Sequence, residues 1–205
     1  MELNQITLKK SYEYLSHDKV LNFLINRFSS EIDINERYNK NFPEALSYLI
    51  IEQQVSFKAA IKIKKRFKDI IKDLDNSQII NLTISELKSI GISNRKASYI
   101  TNVYEYFSKS SFDFFNSNND QVISELCKIK GIGPWSSQMF LIFVLYRIDI
   151  FSKGDLALMN SIKFNYGITL DNEDQLDMLI EKWSPYKTVA SLLLWKSIEH
   201  KYFYS

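Results

Sequence analysis

Residues 130–135 read KGIGPW (Lys130–Trp135), and two serines later the apolar run QMFLIFVLY (138–146) begins. The chain has only five glycines in 205 residues, and two of them flank Ile132. Glycine lacks a Cβ, so it accepts positive φ and lets other groups come close. Pro134 suits the first position of a helix, where its missing N–H costs nothing. The stretch therefore reads as a tight corner between two helices, with Ile132 turned back to pin them. The first N–H groups and the dipole of the second helix face the same way as the corner. That combination binds an anion, typically a phosphate. Backbone donors are blind to base identity, so such a corner positions a nucleic-acid backbone rather than reading sequence. The alternative at this point is a plain αα turn.

Working outward, helical periodicity dominates. Three prolines and five glycines leave few breaks, and the expected class is all-α. In FPEALSYLIIEQQVSF (42–57), Pro43 suits a first helical position, and Leu46, Leu49 and Ile50 form an apolar stripe. Ser56 caps a helix FKAAIKIKKRFKDIIKDL whose Ala59, Ala60, Ile63, Phe67, Ile70 and Ile71 share one face. Its lysines take the other face, read as solvated. Thr83 and Glu86 match a capping box, and Ser93 caps NRKASYITNVYEYFSK. A helix is expected over DQVISELCKI (120–129). Pro134 opens WSSQMFLIFVLY, and Ser184-Pro185 is expected to open YKTVASLLLWKSIEHKYF in the same way. The acidic group DNEDQLD (171–177) reads as a helix start, with carboxylates at the positive end of the dipole. An internal echo links ELKSIGIS (86–93) with ELCKIKGIG (125–133). Both have the form of helix–turn–helix corners.

Composition excludes several classes. Apolar residues make up 45% and charged residues 24%, ordinary for a globular chain. The net charge of +2 permits nucleic-acid binding through local clustering without demanding it. A single cysteine, Cys127, rules out an intrachain disulfide. With only His17 and His200 beside it, a metal site built from Cys and His side chains is not expected. The N-terminus does not read as a signal peptide, and MFLIFVLY is too short to span a bilayer. An intracellular protein is expected, in the cytoplasm or nucleoid, or in the nucleus of a eukaryote.

The segment LCKIKGIGPWSSQMFLIFVLYRIDIFSKGDLALMNSI (126–162) resembles the helix-hairpin-helix (HhH-GPD) DNA glycosylase superfamily. It has the hairpin, the apolar helix, and a short loop ending in Gly-Asp. The likeness is greatest to the alkylated-purine (3-methyladenine) DNA glycosylases. YLIIEQQVSFKAAIKIKKRF, GISNRKASYI and WSPYKTVASLLLW match further elements of that family in order, so the resemblance covers about residues 40–200. It implies a two-lobed helix-hairpin-helix fold with the active site in the inter-lobe cleft. One lobe is expected over 42–145, the other over 1–41 plus 146–205. It also implies the compact catalytic core, without the N-terminal β-rich domain of larger bacterial members.

Residue roles follow from the resemblance. Asp155 falls at the catalytic aspartate, where a carboxylate stabilises the cation that develops on the sugar; an N-cap is the bland alternative. Trp135 stands where bifunctional members carry a lysine nucleophile. Tryptophan has no amine to form a Schiff base, so the resemblance implies a monofunctional enzyme without AP lyase activity. Trp195 falls at a base-pocket aromatic, where a π face would attract a cationic methylpurine; an ordinary core tryptophan is the alternative. Trp135 and Met139 would add walls to that pocket. Gln54 falls at the wedge that fills the gap left by a flipped base, or else is a solvated helix-end residue, with Gln53 and Ser56 beside it at the minor groove. Gly131, Ile132 and Gly133 would grip phosphate. Lys153, where relatives have proline, would place a cation near Asp155 or contact a phosphate.

The implied reaction is hydrolysis of the N-glycosidic bond of alkylated purines of the 3-methyladenine and 7-methylguanine type, in duplex DNA, for base excision repair. Two alternatives stand: a non-catalytic helix-hairpin-helix DNA-binding module, or a glycosylase for hypoxanthine, etheno-adenine or uracil. The expected partner is double-stranded DNA with damaged bases, bound by a monomer with no membrane involved. No cofactor is required and no iron–sulfur cluster is expected. The family often binds a monovalent cation at the hairpin carbonyls.

Overall fold

The structure is a computed structural model that describes residues 2–35, 39–168 and 171–204. In chain order its helices are α1 (Gln5–Leu15), α2 (Lys19–Phe28), α3 (Phe42–Glu52), α4 (Phe57–Ile71), α5 (Asn76–Ile80) and α6 (Ile84–Ser89). They continue with α7 (Asn94–Lys109), α8 (Asn119–Leu126), α9 (Pro134–Phe143), α10 (Leu156–Tyr166), α11 (Glu173–Glu181) and α12 (Lys187–His200). Among the described residues, extended pairing is limited to one isolated antiparallel bridge between Glu2 and Arg147. The chain divides into two compact units, Tyr38–Phe140 and Met1–Arg37 with Leu141–Ser205.

Side-chain caps set most helix starts. Ser56 accepts the Ala59 N–H, Ser93 accepts the Lys96 N–H, and Thr83 with Glu86 forms a reciprocal capping box. Each is a short polar side chain satisfying a donor that the helix itself cannot. Asn172 caps α11, with Glu173 and Asp174 in its first turn, as the acidic group implied. Two starts and stops differ from expectation. Pro185 lies outside α12, before its N-cap Tyr186, because Lys187 and Ser184 are tied to the Asp149 carboxylate (3.3 and 2.8 Å). The apolar run also leaves the helix early. The helix α9 ends at Phe143 and Tyr146 is left-handed (φ 52°), with the Arg147 N–H closing onto the Leu141 carbonyl (2.9 Å).

In the unit Tyr38–Phe140, α3 packs along α7. Leu46, Leu49 and Ile50 of α3 and Ala97, Ile100 and Val103 of α7 are buried. The expected face of α4 is likewise turned inward at Ala60, Phe67 and Ile71. Each of the larger of these side chains, valine, leucine, isoleucine or phenylalanine, contributes about 1.5–3 kcal/mol of burial. In the other unit, α12 packs against α10 and α2. Its face carries Val189, Ala190, Leu193 and Leu194, and meets Leu158, Ile162, Leu21 and Leu24 in one core. A buried polar stitch fixes the register of α10 on α12: the Ser161 and Ser197 hydroxyls lie 2.7 Å apart, and the Asn165 amide donates to both. Fully paired buried polar groups of this kind specify one register where an apolar seam would tolerate slippage.

Candidate active site

Asp155 ends the loop that follows Arg147 and is the N-cap of α10. It is 8% exposed. Its Oδ1 accepts the Leu158 N–H at 2.9 Å and the indole Nε1–H of Trp195 at 3.1 Å. The same carboxylate oxygen therefore caps the helix and meets the indole. Capping turns the carboxylate toward the helix start, and the second donor removes most of its remaining rotation.

Trp195 lies on α12, half-buried. Its ring stacks on Phe143 with centroids 5.7 Å apart and planes 29° from parallel. One indole face is thus engaged by another aromatic while the N–H holds Asp155. Two turns earlier on α12, Thr188 anchors the loop that leads to the aspartate. Its hydroxyl donates to the Arg147 carbonyl (2.7 Å) and accepts the Ile150 N–H (3.1 Å). Its own N–H donates to the Ile148 carbonyl (3.0 Å). The Asp155 N–H closes the last turn onto the carbonyl of the buried Ser152 (3.1 Å). One helix therefore holds both the loop and its final side chain. Thr188, Phe143 and Ser152 carried no signal in the sequence, because hydroxyls and phenyl rings at those positions are equally ordinary core residues. Trp183, the first tryptophan of WSPYKTVASLLLW, is fully buried, and its Nε1–H reaches Asp18 (3.4 Å).

Lys153 has a carboxylate partner on a later helix. It forms an ion pair with Asp177 of α11, with both side chains about half exposed. Asp177 lies in the middle of α11 and offers a solvent-facing carboxylate to the lysine.

The unit Tyr38–Phe140 carries the hairpin. Gly131 has φ 108°, and a Cβ there would collide with the Tyr99 ring. A Cβ on Gly133 would meet no atom within 4 Å. The two glycines thus do different work: the first makes the corner, the second keeps its outer surface bare. Ile132 is buried, and its N–H closes the turn on the Ile129 carbonyl (3.0 Å). The echo is structural too, since Gly91 in the α6–α7 corner has φ 101°. Trp135 and Met139 lie one turn apart on α9, Trp135 half-buried and Met139 buried.

Gln53, Gln54 and Ser56 form the α3–α4 corner. The Gln53 side-chain amide donates to the Gly131 carbonyl (3.2 Å) and the Ser136 hydroxyl (3.0 Å). Its nitrogen is turned onto the hairpin. Gln54 is exposed and left-handed (φ 55°). Ser56 is exposed and spends its oxygen on the α4 cap. Lys96, on α7, donates from Nζ to the carbonyls of Ile51 (2.9 Å) and Gln53 (2.6 Å); partial burial, then the neighbouring Arg95, lowers its pKa from the usual lysine value. Among the described residues no group of three or more His, Cys, Asp or Glu side chains is placed to hold a metal ion. No described helix is long and apolar enough to cross a membrane.

An all-helical chain with a Gly-Ile-Gly hairpin and an aspartate capping the second helix beyond it defines a class, the helix-hairpin-helix base-excision proteins. The profile of the HhH-GPD superfamily of base excision DNA repair proteins matches residues 48–185, and the chain belongs to that family. The structure of a 3-methyladenine DNA glycosylase of Schizosaccharomyces pombe in complex with abasic DNA superposes with TM-score 0.84. It is 25% identical, over 93% of this chain and 97% of that one. A DNA-3-methyladenine glycosidase of Bacillus halodurans superposes with TM-score 0.70 at 31% identity, over 90% of this chain and 87% of that one. A DNA-3-methyladenine glycosylase of Saccharomyces cerevisiae is 27% identical over 74% of this chain. The chain spans 64% of that yeast protein's length and 56% of a Bacillus subtilis relative's.

Proposed function

We propose that this protein is a monofunctional DNA glycosylase that hydrolyses the N-glycosidic bond of alkylated purines, of the 3-methyladenine and 7-methylguanine type, in duplex DNA. The observation that carries the proposal is the buried Asp155 carboxylate, held by the α10 cap and the Trp195 indole.

The chemistry needs one fixed anion. An alkylated purine is cationic, so it departs with the C1′–N bond electrons as a neutral base. Positive charge builds on the sugar as that bond breaks. A carboxylate held in place before the reaction stabilises the charge without reorganising. Water attacks C1′ and loses a proton, with Asp155 as orienting group or base. The products are the free purine and an abasic site bearing a 1′-hydroxyl. Trp135 offers no amine for a covalent intermediate, which supports hydrolysis without strand cleavage.

DNA as substrate is supported by the hairpin and by charge. Tyr38–Phe140 contains 14 Lys and Arg against 10 Asp and Glu, a net +4, while the rest of the chain is net −2. A basic unit concentrates the attraction to phosphates. The bare surface at Gly133 lets a phosphate approach the first N–H groups of α9. A monovalent cation at the hairpin would be held by backbone carbonyls. Those of Lys130 and Gly131 also accept amide hydrogens from Asn102 and Gln53, and no step above uses the ion.

The test is base release from methylated duplex DNA by wild type and Asp155→Asn, with borohydride trapping beside it. Release by wild type, loss in the variant and no trapped adduct are expected. Equal release by both proteins would overturn the assigned role of Asp155, and a trapped adduct would overturn monofunctionality. No release by wild type, with duplex binding intact, would favour a binding module.

A further inference from the structure

Three side chains on one ridge of α7 each grip a different part of the proposed DNA-binding surface. Lys96, Tyr99 and Asn102 are spaced three apart, so they lie along the same face of the helix. Lys96 Nζ holds the carbonyls of Ile51 and Gln53 at the end of α3 (2.9 and 2.6 Å). The Tyr99 ring fills the space where a Gly131 Cβ would stand. The Asn102 amide donates to the Lys130 carbonyl (3.1 Å). Gln53 closes the circuit: its backbone carbonyl is held by Lys96, and its side chain holds the Gly131 carbonyl and the Ser136 hydroxyl.

The geometry points to a positioning strut. Lys96 and Gln53 tie the Gln54 corner to the phosphate-gripping hairpin, so that gripping the backbone and filling the gap of a flipped base act as one motion. This rests on the DNA glycosylase reading above. The physical reason lies at Gln54. It adopts a left-handed backbone at φ 55°, a conformation that side chains other than glycine disfavour. Its position is set by the peptide plane it shares with Gln53, and the oxygen of that plane is the one Lys96 holds. Charge-assisted hydrogen bonds to two carbonyls satisfy acceptors that the end of α3 leaves open. They hold the exposed glutamine in a conformation that it would not choose alone. Gln53 then transmits that placement to the hairpin through a part-buried amide that donates to the Gly131 carbonyl and the Ser136 hydroxyl.

The experiment uses the full chain and a duplex carrying a tetrahydrofuran abasic analogue opposite 2-aminopurine. Insertion of Gln54 changes the stacking of 2-aminopurine and hence its fluorescence. Lys96→Met keeps the stem and removes the donors, Lys96→Arg restores donors to both carbonyls, and Gln53→Leu cuts the link to the hairpin. Base release is measured in parallel on 7-methylguanine in duplex and in single-stranded DNA, where no partner base is orphaned. Duplex release and the fluorescence change should fall about tenfold in Lys96→Met, the loss expected of charge-assisted hydrogen bonds. Single-strand release should fall much less, and Lys96→Arg should recover most of the signal. The double variant Lys96→Met/Gln53→Leu should lose no more than the worse single one, since both break the same tie. Equal losses on duplex and single strand, or strictly additive losses, would overturn the strut. A wild type that gives the fluorescence change but releases no base, with that change lost in Lys96→Met, would overturn the hydrolase reading and uphold the strut. Normal release by wild type with an unchanged signal in every variant would overturn the strut alone.

Discussion

The indole N–H of Trp195 and the backbone N–H of Leu158 converge on one oxygen of Asp155, at 3.1 and 2.9 Å. The tryptophan that the family resemblance assigns to a base pocket is also what orients the carboxylate. Its ring is itself backed by Phe143. A residue that serves both through its edge and through its face can be dissected by substitution.

Trp195→Phe keeps an aromatic ring against Phe143 but removes the N–H. Hydrogen bonds to charged groups contribute about 1.5–3 kcal/mol, so single-turnover base release should fall by roughly ten- to a hundredfold. Duplex affinity should change little. If release by the phenylalanine variant matched wild type, the N–H would have no part in the reaction.

Asp155→Asn and Asp155→Ala should separate chemistry from folding. Asparagine is as good an N-cap as aspartate and still offers an oxygen to Trp195, so its thermal unfolding should stay close to wild type. Base release should nonetheless drop by about a hundredfold or more, as when a preorganised electrostatic group is lost. Alanine gives up the cap, at about 1 kcal/mol, and leaves a part-buried indole donor unmet, at about 1–3 kcal/mol. Differential scanning calorimetry of the three proteins reads the difference.

The hairpin glycines should respond in opposite ways. Gly131→Ala meets the Tyr99 ring at φ 108°, so strain of about 1–3 kcal/mol and overpacking of similar size should lower the melting temperature. Gly133→Ala points into open space and should leave the melting temperature nearly unchanged while weakening duplex binding, because its methyl group would occupy the proposed phosphate approach. Calorimetry and fluorescence anisotropy on the same two variants check the pair. Similar melting temperatures for both would show that the corner does not depend on Gly131.

Lys153→Ala should be almost silent. Its partner is Asp177, across a half-exposed ion pair, and such pairs contribute about 0–1 kcal/mol. Base release at neutral pH should stay within about twofold, since a change of that size is a few tenths of a kcal/mol. A tenfold loss would show that the lysine acts on Asp155 or on a phosphate.

Local physics made much of the fold legible beforehand. Ser56, Thr83, Glu86 and Ser93 satisfy donors within three residues of themselves, so the sequence carries the whole interaction. The Gly-Ile-Gly corner is equally local, and the echo between Gly91 and Gly131 survives as matching positive φ values. Where a distant group intervened, local rules misled. Pro185 had the right neighbours to open α12, but Asp149 holds Ser184 and Lys187 and shifts the start to Lys187. The ion-pair partner of Lys153 likewise comes from a distant helix, as Asp177 of α11.

The sequence by itself determined an all-helical chain, its capped helix starts, a tight Gly-Ile-Gly corner, and an aspartate at the head of a helix. Those depend on contacts spanning a turn or two, where residue type and spacing fix the geometry. Only the tertiary structure decided what holds the candidate-site side chains in place. Asp155 meets Trp195 across 40 residues, Gln53 meets Gly131 across 78, and Lys96 reaches back 43 residues to the Gln53 carbonyl. Hydrogen bonds over such separations depend on how packed helices bring their faces together, and periodicity along one strand of sequence carries no record of which faces meet.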